Sequence, residues 1–192
     1  MADSNLRQPH LRRLVKEANA VRSDFEKLFE KWPEEALRWK PAPKVWSAAE
    51  CVDHLAVTAD LYLPRLERVV DRQRPASASF QPSWIGNRFV RALEFGSRPI
   101  KTFKVFQPEV SDQSADAVLE RYLDRQRRVV ELMQTADELD PNRPKLPSPL
   151  TRLLRFSLGE AFTILVTHDR RHYRQAMRLS EQPGFPLPRT AY

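Results

Sequence analysis

Hydrophobic residues recur along this chain in steps of three and four, the period of helices that each bury one face. From about Ser4 to Trp32, the positions Leu11, Leu14, Val15, Ala18, Val21, Phe25, Leu28 and Phe29 fall on one stripe, and Pro33 ends it. A proline-bearing connection, Lys40-Pro-Ala-Pro-Lys-Val-Trp46, leads to a second helix. Ser47-Ala-Ala-Glu50 opens that helix as a capping box, in which the hydroxyl accepts from an orphan N–H and the Glu reaches back. Its apolar face runs through Cys51, Leu55, Thr58, Leu61, Tyr62 and Leu66 and fades at Gln73–Pro75; Pro64, well inside, predicts a kink. Pro82 to Phe95 reads as a short aromatic-rich helix, and Gly96 to Pro108 as an extended crossover. A third long helix covers about Ser114 to Leu139, carrying Val118, Leu119, Tyr122, Leu123, Val129, Val130, Leu132 and Met133. Pro141 to Pro149 is a second proline-rich connection. The fourth long helix starts at another capping box, Ser157-Leu-Gly-Glu160, and runs to about Glu181. Its inner face carries Phe162, Leu165, Val166, His168, Asp169, His172, Ala176 and Leu179. Nothing alternates at period two for long enough to build a sheet, and no internal repeat is visible. The pattern predicts an all-α four-helix bundle forming one domain over residues 1–192, with a proline-rich tail at about 183–192.

Composition narrows the chemistry. The chain has 192 residues, of which 41% are hydrophobic, enough for one domain with a real core. A single cysteine excludes a disulfide framework and any multi-cysteine zinc site. Four glycines leave no glycine-rich phosphate loop. No apolar run approaches the ~18 residues of a membrane span, and the polar stretch from Met1 to Lys16 fits no secretory signal. These features point to a soluble, reduced, cytoplasmic protein. The net charge of +7 comes from 32 Lys+Arg spread among 25 Asp+Glu. No basic block interleaves with aromatics, so the charge pattern argues against a nucleic-acid partner.

Three of the four histidines lie on core faces of two helices. His168 and His172 stand at i and i+4, so both rings leave one helix on the same side, a spacing that suits two imidazoles on one metal. His54, on the second helix, completes a three-histidine site if the second and fourth long helices are neighbours. Such a set leaves coordination positions open, as catalytic metal sites do. The alternative is three separately packed rings, each satisfied by backbone or water. The pattern alone leaves both open, although a buried polar group without a partner costs about 1–3 kcal/mol.

Two blocks carry a family resemblance. The stretch Val45-Trp-Ser-Ala-Ala-Glu-Cys-Val-Asp-His-Leu55 is similar to the start of the second helix in DinB-like proteins of the DinB/YfiT superfamily. Ser157-Leu-Gly-Glu-Ala161, followed by His168-Asp-Arg-Arg-His172 and Gln175, resembles their last helix. The resemblance implies an up-down-down-up bundle holding a divalent metal on His54, His168 and His172. Nickel or zinc is the first expectation for that metal, with iron or manganese behind. It also implies a small-molecule substrate, a homodimer, and chemistry of the thiol-dependent S-transferase kind with a low-molecular-weight thiol, or hydrolysis. Many such proteins have no known activity, and a non-catalytic metal- or ligand-binding or dimerising bundle is the alternative.

Other residues have two readings each. Asp169, where relatives often carry Glu, is placed to hydrogen-bond His172 or act as a general base, or else to be a solvated acid. Glu50 is explained by its cap, with support of the His54 ring one turn on as the second reading. Cys51 reads first as a buried, inert thiol and second as a side chain near the metal, Gln175 as a contact to a metal-bound ligand or a packing residue, and His10 as a surface residue. Arg170, Arg171, Arg174 and Arg178 read as a solvated face. The aromatic stretch from Trp84 to Phe106 reads first as core packing and second as a pocket wall or subunit contact. No serine sits in a nucleophile turn.

Overall fold

The computed structural model describes residues 6–76, 78–95, 103–109, 113–143, 145–151 and 153–186. Among the described residues six α-helices carry the fold: α1 Pro9–Lys31, α2 Glu34–Arg38, α3 Ala48–Arg72, α4 Trp84–Phe95, α5 Ala115–Thr135 and α6 Leu158–Met177. The four long ones are those the periodicity predicts. Both capping boxes are formed, Ser47 with Glu50 on α3 and Ser157 with Glu160 on α6. The third segment ends its α-helix at Thr135 and tightens into a 3-10 turn, Ala136–Glu138. Helix α3 runs through Pro64 to Arg72. Pro64 and Asp60, whose carbonyl loses its partner there, both lie on the exposed side.

Three small elements escape the periodicity. Helix α2 is one short turn whose Ala36 and Leu37 are buried. Strands β1 Lys145–Pro147 and β2 Arg155–Ser157 pair antiparallel inside the second proline-rich connection, with Leu146 opposite Phe156. The end of the crossover, expected to be extended, contains the 3-10 turn Lys104–Phe106, while residues 96–102 and the tail from 187 lie outside the described residues.

Side-chain pairs fix the helix directions. Arg121, Arg125 and Arg128 of α5 pair with Asp53, Asp60 and Glu67 of α3, so these two helices run parallel. His10 meets Gly159 and Thr163, and Glu17 meets Arg170, so α1 and α6 are parallel too. Against these, α1 and α5 are antiparallel, because Phe25 packs on Tyr122 while Gln8 bonds Ala136 and Leu139. The bundle is therefore up-down-down-up, with α1 and α3 on one diagonal and α5 and α6 on the other. Two consecutive parallel helices need a connection that travels the bundle's length, roughly 37 Å for the 25 residues of α3. Helix α4 fills part of that distance by packing Phe89, Val90 and Leu93 on Phe156 and Ile164.

Besides the small cluster under α4, the core has two larger apolar clusters, one around Leu14, Leu66, Met133 and Phe162 and the other around Phe25, Leu55, Tyr122 and Ala176. On α6 the first cluster ends at Val166. The buried polar residues Thr167, Asp169 and His172 follow before the second resumes, with Gln126 of α5 at the same level. A polar layer thus crosses the middle of the bundle.

Candidate metal centre

Helices α3 and α6 are neighbours, so the condition for a three-histidine site is met. His54 Nε2 lies 3.2 Å from His168 Nε2, and His172 Nε2 lies 3.0 Å from the same atom. The three rings make the only group of three or more His, Cys, Asp or Glu side chains among the described residues that converge as metal ligands could. Trp46, at the end of the first proline-rich connection, lies tilted against His54 and stacked on His172, at ring-centroid distances of 4.7 and 5.8 Å. His54 and His172 are buried, and His168 is half-buried.

The electrostatics favour neutral rings. Burial lowers His54 to about 4. Burial, then the neighbouring rings, pushes His168 and His172 well below the ordinary histidine range. His54 Nδ1 bonds the backbone carbonyl of Phe106, which can only accept, so the ring proton sits on Nδ1 and the Nε2 lone pair faces the other two histidines. With the His54 proton on Nδ1, the one proton or one lone pair at His168 Nε2 can satisfy only one of its two close contacts in good geometry, so mutual hydrogen bonding leaves the cluster incompletely paired. Ligand nitrogens about 2.0–2.1 Å from one zinc-class ion stand roughly 2.9–3.4 Å apart across an edge of its coordination shell. The two contacts to His168 fall in that range. The donor set fits a divalent transition metal.

Asp169 does not reach His172. One residue beyond His168, it has turned about 100° around α6 and faces α5, where Gln126 donates to it. Burial pushes its carboxyl well above the usual carboxylate range. The expected bond from Asp169 to the His172 ring is thus replaced by one across the core, and Asp169 does not stand where a base for the histidine face would. Glu50 accepts from the Ser47 N–H and pairs with Lys40 at 2.7 Å, as a cap and away from the site. Cys51 is fully buried and its thiol is pushed up by burial, so it is inert. Gln175 lies beside His172.

Two expectations away from the site need correction. His10 is not a surface residue: its ring stacks on Phe80 at 3.8 Å, contacts the Gly159 carbonyl, and is lowered by burial to about 4. The arginines of α6 are not a merely solvated face either. Arg171 donates to the carbonyls of Ala92 and Leu93 and Arg174 to that of Glu94, closing the C-terminal end of α4, and Arg170 pairs with Glu17. The aromatic stretch is mixed, with Phe106 buried and Phe103 and Trp84 exposed.

Comparison with known families agrees with this architecture. The family model described as the DinB superfamily matches residues 17–176, most of the chain and all three histidines. The chain belongs to the DinB superfamily. No curated protein and no solved structure matches it. Among the described residues, no helix is long and apolar enough to cross a membrane. The three converging rings were legible in the sequence of this DinB-like chain, whereas Trp46 and the Phe106 carbonyl were not. Trp46 stood in the quoted block, but only the folded connection turns it over the histidines. A backbone carbonyl leaves no signature in a sequence.

Proposed function

We propose that this protein is a metal-dependent transferase of the thiol-dependent S-transferase type, or a hydrolase, acting on a small molecule at His54, His168 and His172. The observation that carries the reading is the convergence of three neutral imidazoles whose two close Nε2 contacts cannot both be satisfied by hydrogen bonds among themselves. Nickel or zinc is the first expectation, with iron or manganese next. Such an ion supplies a nucleophile at neutral pH by lowering the pKa of a bound water or thiol. The chain's own contribution is to hold the ligands. His54 is fixed by the Phe106 carbonyl, His168 and His172 are fixed by their helix, and Trp46 keeps water off one side of the cluster. Three protein ligands would leave room at a bound ion for a substrate or a thiol. The reading includes a reduced cytoplasmic setting, where low-molecular-weight thiols abound, and a homodimer.

The position of Asp169 favours a second reading. Among the described residues no carboxylate joins the three-histidine group, which suits a bundle that binds a metal or ligand, or dimerises, without catalysis. Turnover separates the two. The protein reloaded with nickel or with zinc is assayed with low-molecular-weight thiols against electrophilic acceptors, and with small esters and amides. Turnover that disappears in His54→Ala and His168→Ala is expected. Turnover unchanged in those variants, or none with any loaded metal, contradicts the enzymatic reading.

A further inference from the structure

The segment that supplies the Phe106 carbonyl is itself held in place, and by a residue remote from the ring. Residues 103–109 form the end of the crossover, with one tight turn at Lys104–Phe106. The side chain of Phe106 is buried, while Phe103 and Val105 just before it are exposed, so Phe106 is the segment's main apolar anchor. Beyond it, Glu109 Oε2 pairs with Arg121 Nη1 at 3.1 Å. The other arm of the same guanidinium, Nη2, meets Asp53 Oδ1 at 2.8 Å. The backbone N–H of Glu109 faces that carboxylate as well. Asp53 and His54 are consecutive on α3, so two neighbouring residues grip the same segment, one through Arg121 and one through its ring. Asp53 is buried to 4% exposure, and a guanidinium spanning two carboxylates in fixed geometry fastens better than a lone surface pair.

We propose that Arg121 is a positioning residue for the histidine centre. By bridging Asp53 to Glu109 it latches residues 103–109 onto α3, so that the Phe106 carbonyl holds the His54 proton on Nδ1 and leaves Nε2 free for a ligand's role. Partners of this kind orient metal-binding imidazoles, and losing one commonly weakens metal binding about 10–100-fold. The consequence for metal affinity rests on the reading of the three histidines as ligands; the latch itself does not.

The test uses full-length, metal-free protein. Arg121→Met removes the bridge but strands the Asp53 carboxylate, which by itself threatens folding. The double variant Asp53→Asn/Arg121→Met removes both charges, and its helix content and cooperative unfolding establish that it folds. Long-range proton–nitrogen correlation of the histidine rings reports the tautomer, and amide hydrogen exchange reports the segment. The wild type is expected to show His54 protonated on Nδ1 alone. In the double variant His54 averages between tautomers and amides 103–109 exchange at least tenfold faster, while those of α1 and α6 are unchanged. Zinc affinity, read by chelator competition, is expected to fall about tenfold. A folded double variant that keeps the wild-type tautomer, exchange rates or zinc affinity overturns the proposal. So does a wild-type His54 not protonated on Nδ1. A wild type that takes up no ion would instead sink the metal reading, and the tautomer and exchange arms would still judge the latch.

Discussion

At the scale of single residues, one buried carboxylate holds two helices. Glu160 closes its own capping box by accepting from the Ser157 N–H at 2.7 Å, and its other oxygen accepts from the Ser83 N–H at 2.7 Å, just before α4. Ser83 in turn caps the Gly86 N–H, so α4 has a capping box whose acid comes from another helix. Gly86 stands where that acid would otherwise sit, and a Cβ there would lie 2.1 Å from Glu160 Oε1. Glu160→Ala should therefore cost about 2–4 kcal/mol in denaturant unfolding, more than a single cap of about 1 kcal/mol. A loss no larger than one cap would contradict the shared role. Gly86→Ala should also destabilise, by about 1–3 kcal/mol, through overpacking against the same carboxylate. The box Ser157-Leu-Gly-Glu160 was legible in the sequence, because it is local. The bond to Ser83 was not, because it depends on which helix α4 lies against. The same division runs through the candidate site. His168 and His172 announce themselves by spacing and His54 by its block, whereas the direction of Asp169 is decided by α5.

At the scale of elements, periodicity revealed the four long helices because each buries a continuous stripe. It missed what depends on neighbours. Helix α2 is too short to show a period, and its burial comes from packing beside α3. The β1–β2 pair is only three residues on each side, with two prolines flanking or within β1, so no alternation could reveal it. The arginines of α6 read as a solvated face until α4 lies across them. Because Arg171 and Arg174 satisfy the last carbonyls of α4, Arg171→Ala/Arg174→Ala should release that end. Amides of residues 84–95 are expected to exchange about tenfold faster, with those of α3 and α5 unaffected. Unaltered protection would mean that the apolar contact through Leu93 and Phe89 suffices without the arginines.

At the scale of the whole molecule, a polar layer between two apolar clusters makes stability depend on pH. His10 and His54 are lowered by burial to about 4 from an ordinary 6.5, and burial also holds His168 and His172 well below that ordinary value. The unfolded chain takes up these protons near pH 6.5 and the folded chain does not, so their stabilisation is complete above that pH and is lost as pH falls towards 4. Each such histidine contributes at most about 1.4 kcal/mol per pH unit in that window. The midpoint of thermal unfolding of metal-free protein should drop steeply between pH 6.5 and 4, and His10→Phe, which keeps the stack on Phe80, should reduce the slope. A flat profile would contradict the burial of these rings. What the bundle achieves by running α3 and α5 parallel is a long connection that returns along its side and brings the Phe106 carbonyl to His54. On the proposed function, the three rings so assembled hold one metal ion. Elemental analysis of untagged protein, wild type beside His168→Ala, decides whether they do. Near one equivalent of nickel, zinc, iron or manganese in the wild type, absent from the variant, is the expected result. A wild type that stays metal-free after incubation with each ion would contradict the account and make His54, His168 and His172 a polar layer of the core.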